Sequence, residues 1–260
     1  MTTVSDIYNA IDKLIPFSIQ ESWDNSGLLA GDPDMGVHRI VTALDITNSV
    51  IDEAVSLNAE LIVSHHPVIF TPLRSVNANS PVGRLLSHNI SAICTHTPFD
   101  MSPMGMNRGL FEILEKPLGL SAQGEPLEET GDGLCVGKIY SLDMPLASEE
   151  AAKRSKEALG CTCVRFTPGR EIKRIAISSG SGNGFISLAA AKGADALLSG
   201  DFKHDGLIDA RNADMTVIDC GHFHTERIFC GIMKRLLSES FPDITVSEAA
   251  GCKDPAEYIL

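Results

Sequence analysis

Hydrophobic and polar positions along the chain alternate between two periods. Near the start, Val4, Ile7, Tyr8, Ile11 and Leu14 recur at helical spacing, and Thr3 with Asp6 is placed as a capping box. An amphipathic helix is expected there. "RIVTALDIT" (39–47) then reads as a buried strand, Asn48 to Leu57 as a helix with Val50, Ile51, Ala54 and Val55 on one face, and "AELIVS" as the next strand. "VGRLLSHN" predicts a short helix, "ISAICT" (90–95) a strand, and Met104 to Glu115 another helix. Alternation of this kind predicts an α/β fold with mostly parallel sheets covered on both faces.

The pattern breaks between about 116 and 132. "KPLGLSAQGEPLEETGDG" is rich in Gly, Pro and Glu and has no periodicity, so a linker or domain edge is expected. This divides the chain into an N-terminal lobe, 1–125, and a C-terminal lobe, 126–260. In the second lobe "LCVGKIYSL", "CVRFT", "KRIAISSG", "DALLSG", "MTVIDC" and "ITVSEA" are strand-like. Helices are expected at "SEEAAKRSKEALG", "GNGFISLAAAKGA", near 204–212, and from about His224 to Ser238. No strong internal repeat stands out, although two similar α/β halves are compatible with a duplication.

Charge narrows the function classes. The 260 residues carry a formal net charge of −13, which opposes binding to nucleic-acid phosphates, and Arg170, Lys173 and Arg174 are too few to form a basic patch. No apolar run approaches the ~18 residues of a membrane span, and the N-terminus lacks a basic leader, so a cytoplasmic protein is expected. Seven cysteines, an odd number without a CxxC pair, read as reduced core residues.

Candidate chemistry sits at strand ends. "LIVSHHP", "AICTHTPFD" and "VIDCGHFHTE" are each an apolar strand followed at once by metal-type ligands. They gather His65, His66, His96, Asp100, His222, His224 and Glu226, and so five of the eight histidines. Alone, each stretch reads more simply as a surface histidine pair, a turn or a helix start. Three strand ends with one grammar favour a metal site, because strand C-termini line one edge of a parallel sheet. His222 and Glu226 are spaced i, i+4 and share a helix face. His65 and His66 would point to opposite faces of an ideal strand. Either the chain bends at Pro67 to bring both to one site, or the adjacent imidazoles each take their own ion. Histidine and carboxylate ligands without thiolates suit Zn, Fe, Mn, Co or Ni. Two close divalent ions need anionic ligands to offset their repulsion, which makes Asp100 and Glu226 the expected bridges. His96 and His224 are candidates for a proton shuttle or for the pocket wall.

These residues resemble the GTP cyclohydrolase I type 2 family, also called Nif-three-like or YbgI-like dinuclear metal proteins. The resemblance covers nearly the whole chain: "ESWDNSGLLAGDP", "VTALDIT", "ELIVSHHPVIF", "CTHTPFD", "GADALLSGDFKHDGLIDA" and "VIDCGHFHTE" follow in family order. It implies metal ligands at His65, His66, Asp100, His222 and Glu226. Pro98-Phe99 departs from the Asn-Leu that many members carry before the aspartate. The resemblance further implies two interlocked α/β lobes with a dinuclear metal site in the cleft between them, a toroidal homohexamer, and the short form of the family without an inserted domain.

The function so implied is a dinuclear metal-dependent hydrolase using two divalent transition-metal ions. It acts on a small-molecule substrate, with ring opening of GTP or hydrolysis of a related nucleotide or phosphoester as the reaction. His96 is the catalytic acid/base candidate. Asn25, Asp45, His204 and His224 are candidates for substrate contact. Asp201 shares that candidacy, and Trp23 reads equally as a buried loop cap. "GSGNG" (180–184) lacks the Lys of a P-loop and reads as a tight turn. The competing reading is a non-catalytic metal-binding or metal-delivery protein, or a ring-shaped scaffold.

Overall fold

The computed structural model describes residues 1–131 and 133–259. Among these the strands are β1 Gly27–Ala30, β2 Arg39–Ala43, β3 Leu61–Ser64, β4 Ser91–Cys94, β5 Glu125–Gly131, β6 Leu134–Leu146, β7 Arg165–Phe166, β8 Ile172–Ser181, β9 Ala196–Gly200, β10 Thr216–Asp219 and β11 Thr245–Glu248. The α-helices are α1 Val4–Leu14, α2 Asn48–Ser56, α3 Pro81–Ser87, α4 Thr97–Met101, α5 Met106–Leu118, α6 Ser148–Leu159, α7 Ile186–Ala191, α8 His204–Asn212, α9 His222–Glu226 and α10 Ile228–Ser240. No helix among the described residues is long and apolar enough to cross a membrane.

The fold is mixed α/β with two sheets, and the chain divides into two compact units. The first comprises Met1–Phe99 with Phe229–Lys253, and the second Asp100–Ile228 with the segment from Asp254 onward. Each unit is thus built from two separated stretches of chain.

In the first unit the strand order is β1-β4-β3-β2-β11. β11, β2, β3 and β4 run parallel, and β1 closes the β4 edge antiparallel. Local chemistry sets the elements. Thr3 and Asp6 make the expected capping box on α1, and Thr47 caps α2 through the Val50 N–H. Val50, Ile51 and Ala54 of α2 pack with Val41, Ile62 and Ala92 of the sheet in one core. The registers Ala43↔Ser64 and Ser64↔Cys94 bring the ends of β2, β3 and β4 level. The residues that follow those ends, including His65, His66 and His96, therefore share one edge.

In the second unit the order is β5-β6-β8-β9-β10-β7. Only β8, β9 and β10 are parallel neighbours; β5, β6 and β7 join antiparallel. The expectation of mostly parallel sheets holds for the first sheet and for the centre of the second. It gives way where β5 and β6 pair as a hairpin, which needs no crossover helix.

The compositional break at 116–132 falls inside the second unit. It contains the last turn of α5, the left-handed cap Gly119 (φ +67°), and β5. Its Glu-rich composition reflects an edge strand exposed along most of its length, with Leu127 buried, rather than a linker. The units instead divide at Phe99/Asp100 and again at Ile228/Phe229. The last helical stretch, expected as one helix from about His224, begins at His222 and forms two, α9 and α10, separated at Arg227. All seven cysteines are free thiols, five of them buried, in line with the reduced-core reading.

Candidate metal centre

In the first unit β3 delivers the histidine pair. The ladder continues past the strand end, with His65 N–H donating to Ala43 O (3.2 Å) and His66 N–H to Leu44 O (2.9 Å). Two side chains then seize the backbone: Cys94 Sγ donates to His65 O (2.9 Å) and Ser64 Oγ to His66 O (2.8 Å). The chain bends, so the two rings do not oppose each other. Their centroids are 5.0 Å apart with planes inclined at 40°. His65 is fully buried against Phe99 and Phe229, while His66 is half-buried. His96, from the end of β4, completes the group. One ligand-type atom from each of His65, His66 and His96 lies within 4.8 Å of the other two.

In the second unit α9 delivers the other group. Gly221 enters it at φ +77°. One helical turn then sets His222 Nε2 2.8 Å from Glu226 Oε2. Glu226 is buried. The β8 end packs beneath it: a Cβ on Gly180 would lie 2.2 Å from Glu226 Oε1 and 3.4 Å from His222 Cε1. Gly180 N–H donates to Thr225 Oγ1 (3.0 Å), and its neighbour Ser179 donates from Oγ to Asp100 Oδ1 (3.2 Å). The Ser179–Gly180 turn thereby ties Asp100 to the α9 pair within this unit.

The imidazoles share one polarity. His65 Nδ1 donates to Thr95 O (3.0 Å), His66 Nδ1 faces Asp45 Oδ1 (2.8 Å), His96 Nδ1 faces Asp24 Oδ1 (2.8 Å), and His222 Nδ1 faces Asp201 Oδ2 (2.8 Å). An oxygen acceptor on each of these Nδ1 atoms orients the ring and leaves Nε2 as the nitrogen that could ligate a metal or accept a proton, an arrangement also found around metal-bound histidines. Asp201 reaches His222 from a left-handed backbone (φ +54°), a conformation non-glycine residues adopt at a cost. Nitrogen and carboxylate donors with these orienting partners fit a divalent transition metal.

Residues that could bind a metal ion therefore cluster, and the other candidates surround them. Asp45 and Asp201 hold the Nδ1 atoms of His66 and His222. Asn25 joins two loops, its Nδ2 donating to Ile69 O (2.6 Å). His224 is buried with Nδ1 3.7 Å from Asp254 Oδ2; burial lowers its pKa more than Asp254 raises it. His204 is exposed at the start of α8. Trp23 is exposed rather than a buried cap. The carboxyl of Asp24 is the most heavily committed acid here. Burial raises its pKa, but hydrogen bonds from His96, Thr97 and Asn25 outweigh that and hold it well below the usual carboxylate range.

A signal in the sequence connects the two groups. "CTHTPFD" (94–100) and "CGHFHTE" (220–226) share Cys-x-His-x-x-x-acid at the end of a strand. Each His has its Nδ1 on an aspartate, so His96 is the counterpart of His222.

A model of the Duf34/NIF3 (NGG1p interacting factor 3) family matches residues 2–255. A Clostridium perfringens protein called "GTP cyclohydrolase 1 type 2 homolog" is 30% identical over 98% of this chain and 99% of its own length. A Campylobacter jejuni protein of the same name is 34% identical over the same shares. The crystal structure of a Staphylococcus aureus protein superposes with a TM-score of 0.87 at 30% identity, covering 99% of both chains.

Proposed function

The chain belongs to the Duf34/NIF3 family, and on that premise we propose that it is a dinuclear metal-dependent hydrolase. His65, His66, Asp100, His222 and Glu226 are the proposed ligands of two divalent ions. The observation that carries this reading is the common polarity of the imidazoles, each with Nδ1 held by an oxygen. Bound divalent ions supply Lewis acidity and a water acidified toward neutral pH.

The chain's own residues do the rest. Thr95 O, Asp45 and Asp201 fix the tautomers of His65, His66 and His222. Asp24 holds the proton of His96 on Nδ1, so Nε2 accepts a proton from the attacking water and returns it to the leaving group. Asp100 and Glu226 offset the ionic charge. The names of the two bacterial relatives make GTP the first substrate to test, and other nucleotides and phosphoesters follow. The proposal includes a homohexameric assembly and a cytoplasmic location, and the −13 charge argues against a nucleic-acid partner.

Elemental analysis of the purified protein tests the reading, followed by assays for formate release from GTP and for phosphoester cleavage. About two equivalents of one metal with turnover supports it. Metal without turnover of any of these substrates leaves a metal-binding or metal-delivery protein. No metal after loading with Zn, Mn and Fe removes the proposal.

A further inference from the structure

Two aromatic rings in the first unit are left outside the metal reading. Trp23, the chain's single tryptophan, is 56% exposed, and Phe70, on the loop after His66, is 49% exposed. Aromatic rings carry large apolar areas, so two left open side by side call for an explanation. Their centroids lie 6.1 Å apart with planes inclined at 45°. Both stand nearly edge-on to one imidazole: Trp23 is 5.9 Å from His96 at 76°, and Phe70 is 6.2 Å from it at 77°. His96 in turn lies 5.3 Å from the His65 ring and 5.6 Å from that of His66.

Hydrogen bonds hold the Trp23 loop and tie it to the residue before Phe70. Asn25 Nδ2 donates to Ile69 O, tying the residue before Phe70 to the Trp23 loop. Asp24, next to Trp23, accepts from Thr97 Oγ1 (2.6 Å), Thr97 N–H (3.1 Å) and Ser26 Oγ (2.9 Å) besides His96. Glu21 N–H donates to Thr97 Oγ1 (3.0 Å) on the other flank. The backbone is anchored on both sides of Trp23 and just before Phe70, and both rings remain about half exposed. Preorganisation of that kind favours binding, because little ordering remains to be done when a ligand arrives.

We infer that Trp23 and Phe70 form a subsite for a planar heteroaromatic ring of a small molecule, stacked on their open faces with one edge toward His96. The inference rests on the proposed metal-dependent function and names the substrate class of that same site. Stacking on aromatic side chains tolerates different rings because every base has a π-face. A polyanionic strand is disfavoured by the net charge of −13, which favours a small molecule over a nucleic acid as the source of the ring. Leu73 and Val76, farther along the same loop, are 49% and 50% exposed, so a second copy of the chain lying on that loop is the competing occupant.

The single tryptophan is its own reporter. Metal content of the full chain is measured first. Trp23 emission is then followed while GMP, UMP or ribose 5-phosphate is added, the last carrying the sugar and phosphate without a ring. The subsite predicts saturable quenching by a nucleotide and none by ribose 5-phosphate. Phe70→Leu then weakens nucleotide binding by about 5- to 100-fold, and Leu73→Ser leaves it unchanged. Absence of saturable quenching by GMP and UMP from the metal-loaded protein overturns the subsite. So does emission that iodide cannot quench until Leu73→Ser is introduced, which would place a second copy on the loop. Ring-dependent quenching in a chain that holds no metal would sink the hydrolase reading and leave the aromatic subsite standing.

Discussion

His222 Nε2 stands 2.8 Å from Glu226 Oε2, one helical turn along α9. Two ligands bound at about 2.0–2.2 Å to one ion, roughly at right angles, are separated by about 2.9 Å. The α9 pair has the spacing of a charge-assisted hydrogen bond, which is also compatible with two neighbours around one ion. Glu226→Gln keeps the shape and removes the charge. Its metal affinity is expected to fall by at least about 100-fold, above the 10- to 100-fold expected when Asp201→Asn removes the partner of His222 Nδ1. Elemental analysis after dialysis, with far-UV circular dichroism to show that both variants fold, checks the order. Equal metal retention in the two variants would refute the ligand assignment.

Gly180→Ala tests the same carboxylate from beneath. The new Cβ would sit 2.2 Å from Glu226 Oε1, at a residue whose φ of +59° already disfavours a side chain. The atom it meets is the end of a flexible chain, so the carboxylate swings aside rather than the fold giving way. The expected result is lowered metal content with a stability loss of about 1–2 kcal/mol. Unaltered metal binding in this variant would show that the position of Glu226 does not matter to the site.

How far the sequence reveals this arrangement depends on the range of the interactions involved. α1 and α2 are legible because their caps and apolar faces are local, and β2, β3 and β4 because buried parallel strands read as continuous apolar runs. The strand-end ligand motifs follow from the same logic. β5 is obscure because an edge strand with Glu125, Glu128 and Glu129 looks like a loop until its ladder with β6 is known. The division at Phe99/Asp100 is equally hidden, since it lies within a helix of five residues and depends on where β11 pairs, some 200 residues after β2 in the chain. Among the site residues, Asp45 and Asp201 are visible only as strand-end acids. Their work on His66 and His222 is a tertiary property.

Asp195 offers a prediction away from the metal groups. Its Oδ2 accepts from the N–H groups of Lys173 and Arg174, both at 2.9 Å, where β8 begins, and Arg170 Nε approaches Oδ1 at 2.5 Å. Burial raises its pKa, but these hydrogen bonds outweigh that and leave it below the ordinary value. A carboxyl whose folded pKa is depressed contributes stability above its unfolded pKa, near 4, and loses it as the pH falls through the folded value. Asp195→Asn is expected to destabilise the chain by about 1–2 kcal/mol at pH 7. Urea unfolding of both proteins from pH 7 down to pH 3 checks the sign: the gap should narrow below about pH 4. A gap that widens on acidification would contradict the assignment.

Metal removal should reveal itself in heat stability. A ligand that binds only the folded chain stabilises it by about 2.7 kcal/mol at a hundredfold excess over its dissociation constant. For a chain of this size each kcal/mol moves the melting temperature by roughly 2–4 °C, so saturation with the native metal should raise it by about 5–10 °C over chelated protein. His65 is the sharpest control, because it is a proposed ligand, is fully buried, and has its ring oriented by the Nδ1 hydrogen bond to Thr95 O. His65→Ala should lower the melting temperature of the chelated protein through the space it leaves, and should also abolish most of the metal-dependent increment. His88→Ala, at an exposed helix end, should keep the increment whole. Differential scanning calorimetry with and without chelator separates the two effects. An increment that survives intact in His65→Ala would locate the stabilising ion elsewhere in the chain.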